Sequence, residues 1–233
     1  MKDSAPKPAF MDKHNISREV VEYIKQSILS GELNPGDRIV ETRFARELGI
    51  SQTPIREAMH QLSGEGIVVI VPNKGPVVKE LQRSDVFEIY SLRAAIEGLA
   101  IRIASQIAPQ EAIDELEGFY GAMKVKLADE AVESLLADSF QIHQSIINLS
   151  KHERLMNMYG SISFQISLVN RILGTQSTKQ KEVDQHLELI EALKSRDPAQ
   201  AEKIMRMHIY RSYREFIELD EDKSWEDGET LWF

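Results

Sequence analysis

Residues 41–78 read ETRFARELGISQTPIREAMHQLSGEGIVVIVPNKGPVV. Phe44, Ala45 and Leu48 mark a short amphipathic helix that Gly49 breaks. Ser51 stands where the next helix needs an N-cap, its hydroxyl placed to accept from an unpaired amide of the first turn. Pro54 falls within that turn, where its missing N–H costs no bond, and Ile55, Ala58, Met59 and Leu62 recur at the spacing of a buried helical stripe. Gly64 and Gly66 close the helix. Ile67 to Val71 is then a β-branched run, Pro72-Asn73-Lys74-Gly75 a turn, and Val77-Val78 the returning strand of a hairpin. Two helices joined by a tight turn and followed by a hairpin make a winged helix-turn-helix.

The same succession also occurs in small structural domains that never meet nucleic acid. The polar residues favour DNA: Gln52, Thr53 and Arg56 lie at the start of the second helix, off its apolar stripe, where side chains are aimed at base edges and phosphates. Gln52 and Thr53 are the expected base readers and Arg56 and Arg43 the expected clamps. Lys74 and Gly75 at the wing tip are expected to meet the backbone or the minor groove.

Upstream, Val20, Val21, Ile24, Ile28 and Leu29 predict a helix over Ser17 to Ser30, ended by Gly31, and residues 31–37 form a loop of turn formers. Residues 1–12 read as a flexible tail. They lack the apolar core of a signal peptide, and no run in the chain approaches the ~20 apolar residues of a membrane span, so the expected location is cytoplasmic. Zero cysteines agree with a reducing compartment and exclude thiol catalysis and cysteine-bound zinc.

The net charge of −9 is unevenly divided. Residues 13–79 hold 9 Lys+Arg against 8 Asp+Glu, net +1, whereas residues 80–233 hold 17 against 27, net −10. A nearly neutral reading head has modest phosphate affinity alone, which implies two heads acting together in a homodimer.

Residues 80–83 form a short polar linker, and from residue 84 to about 220 the pattern is helical. Ser84 is placed to cap a helix carrying Val86, Ile89, Leu92, Ile96, Leu99 and Ile103, and Pro109 starts a second. Further helices are expected over about 131–149, 153–173, 179–195 and 199–219, with Arg196-Asp197-Pro198 as a sharp reversal between the last two. The fold class is therefore mainly α: a winged helix-turn-helix followed by an all-α antiparallel bundle. Residues 221–233, with Trp225 and Trp232, read as a tail or packing arm.

His186 lies 11 residues before Asp197 and His208 11 after it. If the two helices fold back at that corner, both imidazoles reach the same depth, and 11 residues is close to a whole number of turns at ~3.6 each. His143, amid Phe140, Ile142, Ile146 and Ile147, supplies a third nitrogen if its helix faces the pair. Three imidazoles and no cysteine suit Zn²⁺ or Ni²⁺ with a coordination position left open. Three such histidines also suit a metal-dependent hydrolase, although no acid beside them stands out as a general base, and they are equally compatible with a purely structural role.

Residues 28–41 (ILSGELNPGDRIVE) and 48–59 (LGISQTPIREAM) resemble the N-terminal domain of the GntR family of bacterial transcription regulators. Where that family usually has Arg, this chain has Thr42 and Gln52. Gln pairs bidentately with adenine where Arg prefers guanine, so the resemblance implies a shifted operator. Residues 84–220 resemble the FCD domain of the family's FadR-type branch. The matches are Leu92-Arg93-Ala94-Ala95-Ile96-Glu97 in its opening helix, and Ile142-His143, Gln185-His186 and Met207-His208 at its histidine positions.

The resemblance implies a metabolite-responsive regulator, most often a repressor and not an enzyme. It would bind a small carboxylate effector at a divalent ion held by one Asp and three His. The family's Asp stands four residues before the first histidine; here that position is Ser139, and Asp138 lies one further back, about 140° around the helix from His143. Ser139, Asp138 or water is thus the fourth ligand. Arg93 either clamps the effector carboxylate or pairs along its helix with Glu97.

Overall fold

The computed structural model describes residues 13–128, 132–174, 179–218 and residue 232. They form two compact units that divide between Leu81 and Gln82.

In the first unit α1 (Lys13–Ser30), α2 (Glu41–Leu48) and α3 (Gln52–Gly64) precede an antiparallel hairpin of β1 (Val68–Val71) and β2 (Gly75–Val78). The apolar stripe of α1 (Val20, Val21, Ile24, Ile28) packs against that of α3 (Ile55, Ala58, Met59, Leu62), and all eight side chains are buried. Each contributes roughly 1.5–3 kcal/mol if a Leu, Ile or Val, which is what holds α3 in place. The hairpin registers Val68 with Val78 and Val71 with Gly75. The segment before α2 meets β2 in a single antiparallel bridge between Arg38 and Val77, with Ile39 N donating to Pro76 O at 2.9 Å and Val78 N to Asp37 O at 2.9 Å.

Two local expectations are corrected. Ser51 is the extended N-cap of α3, but its hydroxyl makes no capping bond. α1 begins at Lys13 and so runs a turn further back than its apolar spacing required. Gly49 ends α2 in the left-handed region (φ 69°), where the absence of a Cβ lets the chain turn directly into α3.

The second unit is a bundle of α4 (Arg83–Ile107), α5 (Gln110–Val125), α6 (Val132–Leu149), α7 (Glu153–Gly174), α8 (Lys179–Lys194) and α9 (Pro198–Glu218), with a 3-10 turn at Lys126–Ala128 after α5. α4 is capped by Gln82 and Asp85 in a reciprocal box, not by Ser84, and Gln82 N donates to Asp85 Oδ2 at 2.8 Å. Its main neighbour is α9, with α6 and α7 alongside. Gly98 faces the Arg206 side chain on α9 closely, and a Cβ there would sit 3.2 Å from Arg206 Cγ.

The reversal forms as expected. Asp197 Oδ1 accepts from Ala199 N (3.0 Å) and Gln200 N (3.1 Å), and Arg196 turns left-handed (φ 57°) and donates to Ala108 O at 2.7 Å. Trp232 is buried against Phe87, Tyr210 and Tyr213, with ring centroids 4.9–5.9 Å away, so this residue packs on α4 and α9; Trp225 lies outside the described residues. No helix among the described residues is long and apolar enough to cross a membrane.

Candidate metal centre and nucleic-acid interface

α6, α8 and α9 each deliver one imidazole to the middle of the bundle. Ile142, Ile146 and Ile147 bury α6 on the side that carries His143, and the Asp197 corner brings His186 and His208 level. His143 Nε2 lies 3.3 Å from His186 Nε2 and 3.2 Å from His208 Nε2. All three rings are 2–3% exposed. Nitrogens 2.0–2.1 Å from a tetrahedral ion stand about 3.3–3.4 Å from one another, which the two separations from His143 match, and the ligand atoms of all three histidines lie within 4.8 Å of one another.

Burial keeps His143 well below the ordinary imidazole value of 6.5, helped by Arg93 and His186. It does the same to His208, with His143 and Arg93 adding to it and Glu97 opposing. Both are therefore neutral, as metal ligands must be. An imidazole ¹⁵N titration should find these two rings still neutral at pH 5.5, one unit below 6.5, where an ordinary histidine is mostly protonated. Protonation of either ring near 6.5 would contradict the burial argument.

Each of two imidazoles has an Arg–Glu pair behind it. His143 Nδ1 is 2.5 Å from Glu97 Oε2, and Glu97 Oε1 accepts from Arg93 Nε at 2.5 Å; Arg93 and Glu97 are both buried. Burial raises the Glu97 carboxyl while Arg93 pulls it back. Burial also works to lower the Arg93 guanidinium, but Glu97 outweighs it, so the net movement is upward. His208 Nδ1 faces Glu188 Oε1 at 3.4 Å, an ion-pair distance without hydrogen-bond geometry, and Glu188 pairs with Arg211. The acids nearest the histidines are thus committed to arginines and are not free bases.

Arg93 makes the intrahelical pair with Glu97. Asp138 does not join the histidines. Its carboxylate accepts from Lys126 Nζ at 2.7 Å, and the group of potential ligands contains His143, His186 and His208 alone among the described residues. Helix α6 stays regular through this region, so the unfavourable angle between positions 138 and 143 is not relieved. Ser139 is buried, one helical turn before His143.

Sequence reasoning passed over Tyr159, whose buried hydroxyl has no hydrogen-bond partner among the described residues and interacts with Glu97 and Arg93. Nor did it single out Glu188, which faces His208 Nδ1. No periodicity marks either residue, because their neighbours come from other helices.

In the first unit, Gln52, Thr53 and Arg56 are exposed at the N-terminal end of α3, and Lys74 is exposed beside Gly75 in the hairpin turn. Arg56 Nε donates to Glu41 Oε2 at 2.9 Å and Arg43 Nε to Glu47 Oε1 at 2.8 Å. These exposed pairs are weak, and a duplex phosphate can replace either carboxylate.

Residues 16–78 match the family model described as bacterial regulatory proteins, gntR family, and residues 88–211 match the FCD domain. The chain is 31% identical over 191 residues to the Nta operon transcriptional regulator of Aminobacter aminovorans, covering 82% of this chain and 90% of that one. It is 25% identical over 199 residues to the probable D-xylose utilization operon transcriptional repressor of Paenarthrobacter nicotinovorans, covering 85% and 88%. Among solved structures it resembles E. coli McbR/YncC in fold, with a TM-score of 0.73 at 19% identity, covering 88% of this chain and 98% of that one.

Proposed function

Because this chain belongs to the gntR family of bacterial regulatory proteins and carries an FCD domain, it is a DNA-binding transcription regulator and not an enzyme, and we propose that it acts as a homodimeric repressor released by a small carboxylate at a divalent ion. The observation that most supports the effector half is the convergence of three buried imidazoles, with the Nε2 atoms of His186 and His208 3.3 and 3.2 Å from that of His143. His143, His186 and His208 would hold the ion, which when bound offers a carboxylate oxygen a Lewis-acidic partner. The three histidines and Arg93 are buried, and the guanidinium N–H groups of Arg93 other than Nε would be the donors for an anion bound there. Ser139 stands where a fourth ligand or an effector contact would come from. The acid must supply the negative charge that the protein withholds, since Arg93 cancels Glu97 and Arg211 cancels Glu188.

Dimerisation is supported by an apolar stripe on α4, where Leu92, Ala95 and Leu99 are exposed at three- and four-residue spacing. Two heads would then read half-sites about one turn, ~34 Å, apart. Gln52 and Thr53 would read bases while Arg43, Arg56, Lys74 and Gly75 hold the backbone.

Operator selection from random duplexes tests the DNA half. Arg56→Ala should weaken binding to all sequences, whereas Gln52→Arg should move the preference at one position of each half-site from adenine to guanine, a change on the order of 1–3 kcal/mol. An unchanged selected operator would remove Gln52 from the readers and leave Thr42, Arg43 or Thr53. For the effector half, a panel of small organic acids should release the operator only from zinc-loaded wild type and not from His208→Ala.

A further inference from the structure

We infer that Glu97 is a positioning residue for the three-histidine centre, holding His143 in the Nδ1–H form so that its Nε2 lone pair faces His186 and His208. The inference rests on the metal reading above and names the residue that prepares the site for an ion.

Glu97 is fully buried beside Arg93, whose Nε can only donate, and this contact occupies Oε1. The Arg93 guanidinium on Oε1 holds the carboxylate in its ionised form against burial, and an ionised carboxylate can only accept, so the 2.5 Å contact from Oε2 to His143 Nδ1 requires the proton on Nδ1. In a neutral imidazole the lone pair is then on Nε2, the atom 3.3 and 3.2 Å from the other two Nε2 atoms. A carboxylate behind a metal-binding imidazole fixes its tautomer and ring orientation in this way. Arg93 is part of the device because it decides which groups face which way. Glu188 offers His208 a longer contact of 3.4 Å from a half-buried position, so its replacement should matter less.

Glu97→Gln is nearly isosteric and makes a sharp test. Glutamine has one oxygen, which Arg93 demands, so the amide NH₂ turns toward His143 Nδ1, which must then accept. His143 becomes the Nε2–H form and its lone pair leaves the centre. In Arg93→Met/Glu97→Gln the oxygen is released from the arginine and can turn back to His143, restoring Nδ1–H.

Long-range ¹H–¹⁵N correlation of the imidazoles in metal-free full-length protein reads the tautomer directly, and calorimetric titration with zinc reads the consequence. The expected pattern is Nδ1–H in wild type, Nε2–H in Glu97→Gln with zinc affinity lowered about 10–100-fold, and recovery of both in the double variant. An Nε2–H wild type, or one tautomer in all three proteins, overturns the inference. Tautomer switching with no zinc uptake by any of them upholds the Glu97 contact and overturns the metal reading beneath it.

Discussion

Chelator should lower the thermal midpoint of the wild-type protein and leave that of His208→Ala unmoved. An ion that binds the folded chain and not the unfolded one stabilises it by about 2.7 kcal/mol at one hundred times its dissociation constant and about 4.1 at one thousand times. At roughly 2–4 °C per kcal/mol for a unit of this size, the wild-type midpoint falls by about 5–16 °C. His208→Ala loses one of three nitrogens and so starts near the chelated value. Ser139→Asp provides the internal control. Position 139 is buried one turn before His143, so a carboxylate there shares a helix face with the imidazole and should raise the zinc-loaded midpoint. A wild-type melt indifferent to chelator, with no metal found under any loading, would assign the three histidines to packing or to direct effector contact.

The second large effect concerns the buried pair on α4. Arg93→Met should destabilise the protein by about 3–5 kcal/mol, because Glu97 then stays in the core with its charge unpaired. Arg93→Met/Glu97→Gln removes both charges together and should recover most of that loss, since an apolar or neutral replacement of a whole buried pair is often close to neutral. Chemical denaturation of the two variants measures the difference. If single and double variants unfold at the same midpoint, the pair does not carry the stability assigned to it.

What the sequence disclosed and what it hid divide along physical lines. Burial has a period, so Ile55, Ala58, Met59 and Leu62 announced α3, and the runs in residues 84–219 announced six further helices. Corners have a chemistry, so Arg196-Asp197-Pro198 announced the reversal that brings His186 and His208 level. Equal spacing from that corner placed two imidazoles together. The third came from the resemblance, because nothing along α6 states which helix it faces.

Capping was less legible. Whether Ser51 or Gln82 bonds an amide depends on a rotamer that competes with water, and sequence offered Ser51 and Ser84 where the structure uses Gln82 with Asp85. The arginine–carboxylate pairs behind the imidazoles were hidden for a different reason. Arg93 and Glu97 are visible as an i, i+4 pair, but that Glu97 also reaches His143, 46 residues away, is decided by helix packing alone.

The zinc-edge X-ray absorption spectrum of the metal-loaded protein tests the central claim most directly, because it counts and identifies the atoms bound to the ion. Three imidazole nitrogens are expected at about 2.0–2.1 Å, with the multiple-scattering pattern of histidine rings, and oxygen from water or a carboxylate in the remaining position. A shell of oxygens with no imidazole scattering, or the same three-histidine spectrum from His143→Ala, would contradict it.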